Sequence, residues 1–144
     1  MIDQIQLEKL EHFDNILLLF SFMFFGAILH FVGDYLLQND WMAQNKTKSW
    51  VPAFAHATVY SIPFCLIVRG WWFWLIPITH YLIDRYRLAT YWIRLVNWNW
   101  DLSVNNCGYK ADKPVWMAVW LMIIIDNVWH ILINTFAIYM NFTL

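Results

Sequence analysis

The sequence predicts an all-α fold: a polytopic integral membrane protein whose four transmembrane helices form a compact bundle. Three observations predict it. Hydrophobic residues make up 61% of the chain and charged ones only 13%, against about 25% charged in a soluble domain. Residues 15–33 and 49–68 contain no Asp, Glu, Lys or Arg, and an apolar stretch of roughly 18 or more residues reads as a membrane span. Eleven Trp residues in 144 suit the aromatic belts of a membrane protein. A net charge of −1 gives no basic surface for nucleic acid, and none is expected as a partner. Without repeats or Gly/Ser linkers, residues 1–144 read as a single transmembrane domain. Cys65 and Cys107 have no metal-type spacing.

Residues 1–15, MIDQIQLEKLEHFDN, are acidic and lack a small-residue cleavage site, which argues against a signal peptide. Ile5, Leu10 and Phe13 lie roughly on one side, as in an amphipathic helix at the membrane surface. The first span is predicted over about 16–38. The second runs over 51–68, with Pro63 expected to kink it. The turn Arg69-Gly70 leads into the third, 71–87. The fourth covers 114–140, with Asp112 placed to cap it and Pro114 suited to its first turn. Between the third and fourth spans, Trp92, Leu95 and Val96 at helical spacing, followed by Trp98 and Trp100, predict an interfacial Trp-rich helix or loop. A polar turn is expected from Asn105 to Gly108.

Orientation follows from the basic residues. Loops 39–50 and 88–113, with the end of the third span, carry Lys46, Lys48, Arg85, Arg87, Arg94, Lys110 and Lys113; the side holding the termini carries Lys9 and Arg69. The positive-inside rule puts both loops in the cytoplasm and both termini outside. A bacterial inner membrane is expected, or the host membrane if the chain is phage-encoded.

Each predicted span carries a histidine. His30 and Asp34, His80 and Asp84, and Asp126 and His130 are pairs four residues apart, and residues so spaced share a helix face. His56 lies on the second span. The reversed order on the antiparallel fourth helix restores one vertical arrangement, with imidazoles deeper and carboxylates nearer the cytoplasm. A charge at the centre of a span costs about 2.5–3.5 kcal/mol, so three aspartates cost roughly 8–10 kcal/mol. Protonation, ion pairs, a water-filled cavity or a bound cation must offset that. Neutral imidazole and carboxylate are zinc ligands, and they also suit iron or manganese. Helical bundles build metal sites from inward-facing pairs of this kind. His30, Asp34, His56, His80, Asp84, Asp126 and His130 are therefore the candidate ligands of a divalent metal, zinc foremost. Seven exceed what one tetrahedral zinc needs; either two metals bind, or some aspartates orient a histidine from outside.

HFVGDYLLQ (30–38) followed by MAQNK (42–46) resembles the signature of an uncharacterised family of small phage and bacterial integral membrane proteins, H-x-x-[GA]-D-x-x-L-Q followed by M-A-x-x-K. HATVY (56–60), HYLID (80–84) and DNVWH (126–130) resemble its later blocks, although the last usually reads D-Q-x-x-H and here has Asn127. The resemblance implies a membrane protein and brings no activity with it. By more distant analogy the arrangement looks like small membrane-bound metal-dependent hydrolases.

The leading functional expectation is a membrane-embedded metal-dependent hydrolase acting on a lipid-like or membrane-associated substrate. His30, His80 and His130 are the expected ligands, with His56 a fourth ligand or a proton shuttle; Asp34, Asp84 or Asp126 would complete the metal shell, one serving as general base. Gln38, Lys46, Arg85 and Arg87 would contact substrate or an anionic headgroup. The alternatives are transport of a metal ion or protons, and a phage membrane effector with a structural metal. A homo-oligomer is compatible with each.

Overall fold

The computed structural model describes residues 4–100 and 104–144; part of the N-terminal tail and of the Trp-rich connection fall outside the described residues. The described fold is all-helical. Helix α1 runs Gln4–Phe31 and passes into a π-helical turn, Val32–Leu36. Then come α2 (Asp40–Asn45), α3 (Trp50–Ser61) with a 3₁₀ turn at Ile62–Leu66, α4 (Gly70–Tyr86), α5 (Leu88–Val96) and α6 (Val115–Thr143).

All four predicted spans are helical, but among the described residues only two helical stretches are long and apolar enough to cross a membrane: Gln4–Leu36 and Val115–Thr143. At about 1.5 Å per α-helical and about 2.0 Å per 3₁₀ residue, α3 with its 3₁₀ turn reaches about 28 Å and α4 about 26 Å, short of a hydrocarbon core of about 30 Å. The N-terminal segment is not a separate surface helix. It is the first part of α1, because no Pro or Gly interrupts the chain between Gln4 and Phe25.

Local chemistry sets the remaining ends. Asn39 Oδ1 accepts the Met42 N–H at 2.9 Å and caps α2. Pro63, which has no N–H to donate, lies where α3 gives way to 3₁₀ geometry. Arg87 closes α4 in the left-handed conformation, φ 51° and ψ 50°, and opens α5. The turn at Asn105 forms as expected: its Oδ1 accepts from the Cys107 and Tyr109 amides, and Val104 and Lys110 make a single antiparallel bridge. Pro114, not Asp112, occupies the position before α6, with no side-chain cap. Cys65 and Cys107 are both free thiols.

Two apolar clusters bracket a polar middle. Phe22, Tyr60, Phe64, Val68, Ile76, Ala137 and Ile138 close one end of the bundle. At the other end Ile93 of α5, Cys107, Tyr109 and Ala118 of α6 pack together. The first turns of the 29-residue α6 are spent against α5 and the 104–110 turn. That extension brings Asp126 and His130 level with the pairs on α1 and α4, despite their distance from the start of the helix.

Candidate metal centre

The burial pattern is inverted. His30, His56, His80 and His130 are at most 2% exposed, and Asp34 and Asp84 are 6% and 5% exposed. Phe20, Phe24, Trp116, Trp120 and many other large apolar side chains lie on the outside. The helices have turned their polar stripes toward one another.

Each element supplies its part. The π-turn of α1 carries Asp34. A π-helical turn inside an α-helix is a recurrent feature of functional sites, and here Gly33 permits it to lie against α3. A Cβ on Gly33 would sit 2.5 Å from Tyr60 Cδ2 and 2.9 Å from the Tyr60 carbonyl oxygen. From α3 come His56 and, one turn on, Tyr60; α4 gives His80 and Asp84; α6 gives Asp126, His130 and Asn134.

Asp34, His56, His80 and Asp84 can each direct one donor atom to a common point, all within 4.8 Å of one another. His56 Nε2 lies 3.1 Å from Asp34 Oδ1 and 3.1 Å from Asp84 Oδ2. His80 Nε2 lies 3.4 Å from Asp34 Oδ1 and 3.1 Å from Asp84 Oδ2. The two Nε2 atoms are 2.9 Å apart. A tetrahedron with metal–ligand bonds of about 2.0 Å has edges of about 3.3 Å, and these five separations bracket that length. The donor chemistry agrees, since Asp34 Oδ1 and Asp84 Oδ2 are buried without an aligned hydrogen bond. These four side chains could hold a divalent metal ion.

Lys46 is the charge already beside them. Its Nζ lies 2.7 Å from Asp84 Oδ2 and 3.2 Å from His56 Nε2. The Asp84 approach is a close ion contact, and Asp84 Oδ2 accepts no aligned hydrogen bond. Burial pushes the Lys46 pKa down, but the Asp84 and Asp34 carboxylates outweigh it and hold the value above 10.5. One ammonium leaves the two carboxylates one unit negative.

Hydrogen-bond logic sorts the other candidates. Asn134 Nδ2 donates to Tyr60 Oη at 2.6 Å, so the Tyr60 hydroxyl donates onward to His30 Nδ1 at 2.9 Å. His30 Nε2–H then donates to Asn127 Oδ1 at 3.0 Å. Both ring nitrogens of His30 are occupied, 3.6 Å separating Nε2 from Asp34 Oδ2. Asp84, Asp126 and His130 also bring donor atoms together. With His80 Nε2 turned to a cation, however, His80 Nδ1 carries the proton and donates to His130 Nδ1 at 3.2 Å. His130 Nε2–H is then directed at Asp84 Oδ1, 3.3 Å, and Asp126 Oδ2, 3.5 Å. That tautomer makes His130 an orienting partner of the kind that backs metal-ligating histidines. His56 Nδ1 has no partner, so His56 is the least fixed of the four.

A cavity of about 240 Å³ leads to the site, lined by Asp34, Asp84 and Asp126 together with Gln38, Lys46 and Arg87. The three carboxylates face it and the imidazoles lie behind, the layering the pair order predicts. Of the expected substrate contacts, Gln38, Lys46 and Arg87 reach the cavity wall. Arg85 does not; its Nη1 donates to the Thr47 carbonyl at 2.7 Å and anchors the α2–α3 connection.

Sequence reasoning missed Tyr60, whose ring stacks on His80 at 3.6 Å between centroids. Its signal was present: HATVY repeats the four-residue spacing of the His–Asp pairs. Asn134 follows His130 at the same four-residue spacing and lies on its stripe; the direct approach of Lys46 to the donors had no such signal.

Fold and site define a class: an all-helical protein with two helices able to cross a membrane and a buried His/Asp group able to hold a metal ion. The chain belongs to the family described as "Protein of unknown function (DUF3307)", whose family model matches residues 20–144 and so takes in the whole site. No curated protein and no solved structure matches it.

Proposed function

We propose that the protein is a single-domain, membrane-embedded, metal-dependent hydrolase acting on a lipid-like or membrane-associated substrate. The observation that carries this reading is the convergence of four donor atoms, five of whose separations lie near a tetrahedron's edge, at a carboxylate-lined cavity inside an apolar exterior. Only 22% and 11% of the most apolar windows of α1 and α6 are buried within the fold. A core helix of a soluble protein would be mostly buried, so lipid is the fitting solvent for these faces. All four long helices are embedded in the bilayer on this reading, the termini outside. The cavity, beside Lys46 and Arg87, then opens to the cytoplasmic leaflet.

A bound divalent cation, zinc foremost, supplies Lewis acidity and lowers the pKa of attacking water to about 7. The chain's own residues do the rest. Asp34, His56, His80 and Asp84 hold the cation. His130, through the tautomer above, fixes the ring of His80. Asp126, 25% exposed at the cavity wall, is placed to take a proton as general base. Gln38 donates from Nε2 to the Asp34 carbonyl at 3.1 Å, leaving Oε1 as a free acceptor.

Transport of ions is less well supported. Beyond Tyr60 and Asn134 the way is closed by Phe22, Phe64, Val68, Ile76, Ala137 and Ile138, and the buried hydroxyls of Ser61 and Thr135 beside them donate to carbonyls of their own helices. The test is elemental analysis of the purified protein in nanodiscs, with lipid turnover followed in parallel. Stoichiometric zinc, iron or manganese is expected, with metal content and turnover both lowered by His80→Ala and Asp84→Ala. Absence of metal that reconstitution cannot restore would sink the proposal.

A further inference from the structure

We infer that the cavity takes the phosphate group of an amphiphile, with Arg87 as the anion's partner. The inference deepens the hydrolase reading and rests on it for the bound cation. It begins from an elimination. Among the basic residues at this end of the bundle, Lys46 faces Asp84 and Arg85 is engaged with the Thr47 carbonyl. Lys48 is exposed and outside the cavity lining, and Arg94, Lys110 and Lys113 lie outside it as well. Among the described residues, Arg87 lines the cavity with its guanidinium set only against a thioether, Nη2 to Met122 Sδ at 3.4 Å. Sulfur is a weak acceptor, and a guanidinium matches carboxylate or phosphate oxygens in a planar fork.

The backbone points the same way. Arg87 is held at φ 51°, ψ 50°, a conformation that costs a non-glycine residue roughly 1–2 kcal/mol. Glycine would adopt it freely. Arginine there keeps a cationic side chain on the wall despite the strain, and strain of this kind clusters at ligand sites.

Charge and size narrow the ligand. Two cationic and three carboxylate side chains leave the cavity wall one unit negative, which repels an anion; a bound dication makes it one unit positive. The cavity, about 240 Å³, is below the roughly 300–1,000 Å³ of a drug-sized ligand pocket. It has room for a headgroup but not for a lipid's chains, which remain in the bilayer. Gln38 Oε1, buried and unpartnered, offers an acceptor for a hydroxyl on the same headgroup.

The test is equilibrium binding of dioctanoyl phosphatidic acid to the zinc-loaded protein in detergent, with dioctanoylglycerol and inorganic phosphate as comparison probes. Phosphatidic acid should bind at least tenfold more tightly than dioctanoylglycerol, and treatment with a chelator should abolish the difference. Arg87→Gln should lower affinity at least tenfold, Arg87→Lys should restore part of it, and Lys48→Gln should change nothing. Inorganic phosphate competing as strongly as phosphatidic acid would overturn the lipid source and leave a soluble phosphate ester. Equal binding of dioctanoylglycerol, an unaffected Arg87→Gln variant, or undiminished binding after chelation would each overturn the inference. Tight, Arg87-dependent binding without turnover would retain it and remove the hydrolase reading instead; turnover of neutral esters independent of Arg87 would do the reverse.

Discussion

Replacing Tyr60 by Phe removes one oxygen and leaves the ring. That oxygen accepts from Asn134 Nδ2 at 2.6 Å and donates to His30 Nδ1 at 2.9 Å, and all three residues are at most 2% exposed. The substitution therefore strands one donor and one acceptor where water cannot replace the lost partner. In soluble proteins each such orphan costs about 1–3 kcal/mol. Polar contacts between helices in a bilayer average about 0.6 kcal/mol, with a maximum near 1.7 kcal/mol. Two lost contacts then give about 1 kcal/mol at the average and about 3 kcal/mol at the maximum. We expect a destabilisation of about 1–3 kcal/mol in reversible SDS unfolding from mixed micelles. Zinc affinity should hold within a fewfold, because the Phe ring keeps the stack on His80. Tyr60→Leu should lose both stability and affinity. A Tyr60→Phe variant of unchanged stability would show that Asn134 and His30 find other partners, and the tautomer assigned to His30 would fall with it.

Gly33→Ala drives a Cβ into the Tyr60 ring and carbonyl oxygen; overpacking of this kind costs about 1–3 kcal/mol, and unfolding with metal analysis should show both stability and metal content reduced. The metal-free protein should lose stability in strong alkali. The Lys46 pKa is raised on folding, so its contribution is full below the unfolded value and disappears as pH rises through the folded one, which unfolding curves across the alkaline range would show as a steeper loss in wild type than in Lys46→Met. Proteoliposomes should show no zinc or proton flux above empty vesicles, and a sustained flux would mean that the cluster around Phe64 and Ile138 opens.

The His–Asp pairs were legible because a helix puts residues four apart on one stripe, and reversal of the motif on α6 fixed its direction. From the stripes alone the site could be placed inside the bundle with carboxylates toward the mouth. The assignment of each imidazole was not legible. Whether His30 and His130 ligate or orient depends on Tyr60, Asn127, Asn134 and His80, which come from other helices up to 97 residues away. The π-turn at Asp34 was equally hidden, since it depends on the Gly33–Tyr60 approach rather than on local propensity. Helix lengths were blurred for another reason. Pro63 and Arg69-Gly70 shorten the second and third helices, while the acidic residues before Ile16 look like a boundary but are tolerated on the exposed start of α1.

On the proposed hydrolase reading, the plug of Phe22, Phe64, Val68, Ile76, Ala137 and Ile138 also bears on turnover. With that end sealed, whatever enters beside Arg87 has to leave by the same doorway. A departing fragment and an arriving molecule then exclude each other, so accumulated product should slow the protein by straightforward competition. A fragment that stays in the leaflet clears the entrance only as fast as it diffuses sideways.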